Sequence, residues 1–240
     1  MIDIHTHILP GIDDGAQTLE EAVDMLKRSS DSGTDKLILT PHFYNPRIGY
    51  VDKNDVYDVF TSLKEAASHI NIELFLGSEN FCSDLFLDEI DKKQFYTIND
   101  TEYLLIEFPF NGNMNDMYDA VDKIISCGYR PIIAHPERYP FFRHSEMGID
   151  RLLNKGCLFQ INKTSLLNLH GRSAGEFALW MLDNQLASFV ATDTHDTVYR
   201  TSDLDETFMW LYRSFSKAYA EDLLFNNPER LLSGKDIFVG

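Results

Sequence analysis

Short runs of apolar residues punctuate the chain, and between them apolar positions recur every three or four residues. The runs at residues 1–4, 36–40, 72–76, 103–106, 131–134, 157–161 and 188–192 predict seven short strands. The intervening pattern predicts helices. Thr18 and Glu21 form a capping box ahead of a stripe of Leu19, Ala22, Val23, Met25 and Leu26, and Gly33 closes that helix. Val56, Val59, Phe60 and Leu63 mark a second helix. Others are expected near residues 115–126, 145–154 and 173–184 and from Leu204 onward. The strands are apolar throughout rather than alternating, as expected when both faces are covered. Strand–helix alternation with short connections is the pattern of parallel βαβ units. No repeat, low-complexity stretch or linker interrupts it, so residues 1–240 are expected to form one α/β domain.

What closes each strand changes the picture. His5 and His7 leave the first strand two residues apart, hence on one side. The turn after Pro10 and Gly11 carries Asp13 and Asp14. His42 follows the second run, Glu79 the third, Glu107 the fourth and His135 the fifth, while Asp193 and His195 follow the seventh. In a closed parallel barrel the C-terminal strand ends share one mouth, so residues from both ends of the chain would converge there. Any one of them could merely terminate an apolar run. Six of seven strand ends restricted to His, Asp or Glu point instead to a shared metal site. Histidine and carboxylate without cysteine suit Mn²⁺, Fe²⁺ or Zn²⁺, and these donors exceed what one tetrahedral ion uses, so two or three ions are expected. His69 in a helix tail, and His144 and His170 in loops away from strand ends, are expected not to be ligands. Asp13 and Asp196 adjoin proposed ligands and could orient histidines. Phe43, Tyr44, Tyr139, Phe142 and Tyr199 read first as packing residues, with contact to a substrate ring as the alternative.

Charge and cysteine content narrow the class. The formal net charge of −17 argues against nucleic acid, which rewards clustered Lys and Arg. No run approaches the roughly 18 apolar residues that span a bilayer, and no basic segment followed by an apolar run marks a leader. Cys82, Cys127 and Cys157 are far apart and odd in number, which predicts no disulfide framework and a reducing, cytoplasmic setting.

The matching segments are residues 3–15 (DIHTHILPGIDDG), 40–42 (TPH), 77–79 (GSE), 135–138 (HPER) and 192–200 (TDTHDTVYR). In these the chain resembles the polymerase-and-histidinol-phosphatase (PHP) superfamily of metal-dependent phosphoesterases. Within it, the chain is most similar to the bacterial manganese-dependent protein-tyrosine phosphatases of capsule and exopolysaccharide loci. The resemblance implies a distorted seven-stranded (β/α)7 barrel and up to three Mn²⁺ ions. His5, His7, Glu79 and Asp193 would hold the first; Glu79 would bridge to a second, completed by Glu107 and His135; Asp14, His42 and His195 would hold the third. Arg138 and Arg200 match phosphate-binding arginines, a role that planar bidentate donors suit. The implied reaction is phosphomonoester hydrolysis by in-line attack of metal-activated water, with Asp196 or a water assisting the leaving group. The implied partner is a phosphotyrosine-bearing protein, a bacterial tyrosine kinase. Rival readings are a histidinol-phosphatase-like enzyme, a TatD-type nuclease, which the acidic charge disfavours, and a silent kinase-docking module. Cysteine-based phosphatase chemistry is excluded, because no cysteine has an arginine at the Cys-x5-Arg spacing.

Overall fold

The computed structural model describes residues 1–143 and 145–238. His144, expected not to be a ligand, lies outside the described residues. The apolar runs form parallel strands in two sheets. One has the order β1 (Ile2–Thr6), β2 (Lys36–Leu39), β4 (Glu73–Leu76). The other runs β3 (His42–Phe43), β5 (Glu79–Phe81), β6 (Tyr103–Glu107), β7 (Arg130–Ala134), β8 (Leu158–Asn162), β9 (Phe189–Ala191). Helices fill the crossovers, as the periodicity predicts; Leu19–Asp31 starts where the Thr18 hydroxyl accepts the Glu21 N–H at 3.2 Å. After β9 the chain continues as short helical segments from Asp205 to Leu232. No described helix is long and apolar enough to cross a membrane.

Among the described residues nine strands rather than seven are seen, because two runs resume after a break. β2 stops at Thr40 and Pro41, where proline has no N–H for the ladder, and β3 begins at His42. β4 stops at Gly77 and Ser78, and β5 begins at Glu79. A Cβ on Gly77 would lie 2.7 Å from the Ile98 side chain, so the chain passes there only because it has none. Glu79 therefore opens a strand instead of closing one. The edges β1 and β9 are joined by a Thr6–Thr194 bridge and by the Asp193 N–H donating to the His5 carbonyl at 2.9 Å.

Buried apolar side chains divide into two clusters. One packs the helix stripes, such as Ala22, Met25 and Leu26, against Leu37, Leu39, Leu104 and Ile106. The other lies between the strands, from Ile4, Ile38, Tyr103, Leu105, Ile132, Leu158 and Phe189. β1 and β2 change register between Asp3 and Thr6, so that Ile4 and His5 together oppose Ile38. That bulge turns consecutive residues the same way: Ile4 joins the inner cluster, and His5 reaches Gln160, which shares its strand face with Leu158.

Candidate metal centre

All nine expected ligands meet at the C-terminal edge of the sheets, and all except the half-exposed Asp14 are buried. Glu79 is central. Its Oε1 lies 2.9 Å from His135 Nε2, and its Oε2 lies 3.3 Å from Nε2 of both His5 and His7 and 3.0 Å from His42 Nδ1. None of those three nitrogens is aligned to hydrogen-bond to Oε2, which is buried without a partner.

The protonation of two imidazoles is set from behind. His7 Nδ1 donates to Asp13 Oδ2 at 2.7 Å. His5 Nδ1 donates to Gln160 Oε1 at 2.9 Å, Gln160 Nε2 donates to Asn162 Oδ1 at 2.8 Å, and Asn162 Nδ2 donates to Asp193 Oδ2 at 2.6 Å. The carboxylate at the end of this chain accepts only, which fixes both amide orientations and leaves Oε1 of Gln160 for the histidine. Both Nε2 lone pairs then point inward, 3.1 Å apart. Two lone pairs and an orphaned carboxylate oxygen facing one another call for a cation between them.

The electrostatics show the same demand for positive charge, which either protons on the imidazoles or a cation among them can meet. Burial opposes charge on His5, His7 and His42, yet Glu79 (for His5 and His42) and Asp13 (for His7) outweigh it and raise all three above the usual imidazole range. Burial likewise opposes charge on Glu79, but His5, His42 and His135 hold its carboxyl well below the usual range. Glu107, 3.9 Å from His42 Nδ1 and 4.0 Å from His135 Nε2, is pushed up to about 7 by burial and by the Glu79 charge. Burial, reinforced by Arg138, lowers His135 to about 4, the neutral form a ligand requires.

On the outer side, Asp14 Oδ1 lies 3.5 Å from His42 Nε2 and 3.3 Å from His195 Nε2. The turn carrying it presses on β1: the Ala16 N–H donates to the His7 carbonyl, and a Cβ on Gly15 would sit 1.9 Å from that oxygen. His195 Nδ1 donates to the Asp193 carbonyl at 3.0 Å, freeing Nε2. Three groups of donors thus lie within reach of one ion each: His5, His7 and Asp193; His42, Glu79 and Glu107; and His7, Asp14, His42 and His195.

Asp193 joins this centre to the arginines. Its Oδ1 lies 3.5 Å from His5 Nε2 and 3.4 Å from His7 Nε2, while Oδ2 takes Arg200 Nη2 at 2.5 Å and Arg138 Nη1 at 3.4 Å. Arg138 also stacks on Phe110, 4.9 Å from the ring centre. Asp196 accepts N–H groups of Val198, Tyr199 and Arg200, tying both its carboxylate oxygens into the loop that presents Arg200. Asp193 and His135 adopt left-handed backbone (φ 51° and 34°), unusual for residues with a side chain and typical of functional sites.

Other sequence expectations resolve individually. His69 is exposed, and His170 bonds Thr164 Oγ1 at 3.0 Å; neither belongs to a donor group. Tyr139 is a packing residue whose hydroxyl donates to the Ala134 carbonyl and accepts the Phe108 N–H, and Phe142 is fully buried. Cys82 and Cys157 are buried, which pushes both thiols up to about 12. Sequence reasoning missed Gln160, Asn162 and Asn45, whose Nδ2 donates to Glu107 Oε2 at 3.2 Å. A lone glutamine inside the apolar run 157–161 was the available signal for the first.

The family model for capsular polysaccharide synthesis, CpsB/CapC, matches residues 1–233. The chain belongs to that family. Among CpsB/CapC relatives it is 33% identical over 228 residues to a putative tyrosine-protein phosphatase CapC of Staphylococcus aureus, covering 93% of this chain and 87% of that one. It is 32% identical over 247 residues to the tyrosine-protein phosphatase YwqE of Bacillus subtilis, covering 99% and 94%. A solved structure from the work on YwqE and Streptococcus pneumoniae CpsB, described as unique metal-dependent tyrosine phosphatases, superposes with a TM-score of 0.91 at 30% identity. The superposition covers 100% of this chain and 97% of that one.

Proposed function

We propose that this chain is a metal-dependent protein-tyrosine phosphatase. One observation carries the reading: Asp193 turns one carboxylate oxygen to the imidazoles and the other to two arginines. A cation cluster and an anion clamp thus share one residue, as a phosphate monoester bound to metal would require. Family membership supports the same chemistry.

The donor set fits divalent ions, and we assign them as the resemblance implies: His5, His7, Glu79 and Asp193; Glu79, Glu107 and His135; Asp14, His42 and His195. His42 and His7 each face two donor groups; His42 turns Nδ1 to Glu79 and Glu107 and Nε2 to Asp14, whereas His7, held by Asp13 through Nδ1, has Nε2 alone to offer. Bound ions would supply an activated water and offset charge developing on the phosphoryl oxygens. The protein's own part is orientation. Asp13 and Gln160 hold His7 and His5 in the ligating tautomer, and Arg138 and Arg200 leave Asp193 to grip equatorial phosphoryl oxygens. Asp196 has both carboxylate oxygens on backbone N–H groups, and these keep it ionised against the effect of burial. We read its contribution as holding the Arg200 loop.

We further propose Mn²⁺ as the native ion, a cytoplasmic setting, and as substrate a tyrosine kinase governing capsule or exopolysaccharide synthesis. We read the two sheets, with β2–β3 and β4–β5 taken as single interrupted strands, as a seven-stranded barrel within one domain, a reading supported by the Thr6–Thr194 bridge between β1 and the chain just after β9. The test is turnover, with Mn²⁺ added, of a phosphotyrosine peptide against histidinol phosphate and single-stranded DNA. Preference for the peptide is expected; preference for histidinol phosphate overturns the reading.

A further inference from the structure

An apolar groove of about 680 Å³ opens beside the centre, between the loop that follows β3 and the segment that follows β5. Phe43, Tyr44, Pro46, Val51 and Leu85 supply apolar parts of its wall. Its charged lining residues, Glu89 and Lys92, pair with each other at 2.8 Å, so the groove presents no unbalanced charge. Leu85 is 58% exposed and Tyr50, at the rim, 84%. Asn45 belongs to both places: it lines the groove, and its Nδ2 holds Glu107 Oε2. Tyr44 takes left-handed backbone (φ 59°) directly after β3, and its ring packs edge-on against Phe86 with centroids 5.3 Å apart, which fixes the wall. The arginines follow β7 and β9, whereas the groove follows β3 and β5, so phosphoryl clamp and groove stand on different flanks of the centre.

We infer that this groove receives an apolar side chain of the substrate polypeptide, within two residues of the phosphotyrosine. The inference rests on the phosphatase reading above. With the phosphoryl group clamped by Arg138 and Arg200 on the far flank, the peptide lies across the mouth of the centre; at about 3.3 Å per residue in extended chain, a residue flanking the phosphotyrosine passes Asn45, which borders both centre and groove. Apolar walls whose only charged lining residues are already paired reward a leucine or phenylalanine there and penalise an aspartate, which would lose hydration without a free partner.

The test compares phosphotyrosine peptides carrying leucine or aspartate at the flanking positions, with p-nitrophenyl phosphate as a substrate that has no flanks. The wild type should prefer the leucine peptide by about tenfold in kcat/KM. Leu85→Glu should remove that preference through KM while p-nitrophenyl phosphate turnover and metal content stay within about twofold. Met209→Glu, outside the groove, should change neither. Anisotropy of the same labelled peptides reads the groove without turnover. If no phosphotyrosine ester is hydrolysed, the phosphatase reading fails alone, and stronger binding of the leucine peptide that is lost in Leu85→Glu still supports the groove. Equal affinity of the two peptides overturns it, as does a Leu85→Glu loss that is equal for p-nitrophenyl phosphate. A concentration-dependent dimer abolished by Leu85→Glu also overturns it, because a second copy would then be the occupant.

Discussion

Replacing Gln160 with leucine should detach the metal centre from its support while leaving every proposed ligand in place. Gln160 is fully buried, and its amide makes two short hydrogen bonds: it accepts from His5 Nδ1 at 2.9 Å and donates to Asn162 Oδ1 at 2.8 Å. Leucine fills similar space but strands both partners, each at about 1–3 kcal/mol, so a metal-free fold weaker by about 2–6 kcal/mol is expected. The effect on the ion is separate. His5 would be free to carry its proton on Nε2, and Asn162 would no longer be locked onto Asp193, so two ligands lose their orientation. Loss of such a support lowers metal affinity by about 10–100-fold, equivalent to about 1.4–2.8 kcal/mol. Mn²⁺ competition against a chromophoric chelator measures the affinity, and melting with Mn²⁺ or with EDTA measures the linkage. Because ligand binding adds stability in proportion to its affinity, the metal-induced rise in Tm should shrink in Gln160→Leu. A variant with a lower Tm, wild-type Mn²⁺ affinity and an unchanged metal-induced shift would refute the argument. The amide chain would then be ordinary core hydrogen bonding.

Arg138→Ala and Arg200→Ala should keep metal content and Tm near wild type and lose on the order of 10²-fold in kcat/KM; metal loss or full activity in these variants would remove them from the phosphate pocket. His5→Ala and Asp193→Ala should by contrast lose metal along with activity. Elemental analysis after Mn²⁺ supplementation should find two to three equivalents per chain, and EDTA should abolish turnover; one equivalent or fewer would count against the three-group assignment. The triple variant Cys82→Ser, Cys127→Ser, Cys157→Ser should, when folded, retain turnover within roughly an order of magnitude, since two of the three thiols are buried and remain protonated.

The sequence disclosed what periodicity and residue chemistry carry. Thr18 and Glu21 announced a helix start that the structure shows as a hydrogen-bonded cap. His5, His42, Glu107, His135 and Asp193 stood out because each interrupts an apolar run with a metal-binding group. The interruption of β4 did not stand out. Gly77 and Ser78 read as the end of a strand, and the close approach of Ile98 that requires glycine at 77 is a tertiary contact with no mark in the local sequence. The bulge in β1 was equally silent, because a register change is a relation between two strands and leaves no mark in either alone. Gln160 was hidden for a related reason. One polar residue in an apolar strand has no period, and its purpose appears only when His5, 155 residues earlier, is brought against it.

The left-handed backbone at His135 and Asp193 sets the two demands on this protein against each other. At such positions glycine relieves about 1–2 kcal/mol of steric conflict, so the substitutions that most relax the chain there are ones that delete a proposed metal donor. A screen of variants for thermal resilience alone should therefore erode the centre unless turnover is screened alongside it. Asparagine at 193 is the informative exception. It tolerates the same backbone and nearly keeps the shape, so a defect it causes reports on the lost charge and the lost acceptor oxygen and not on the backbone.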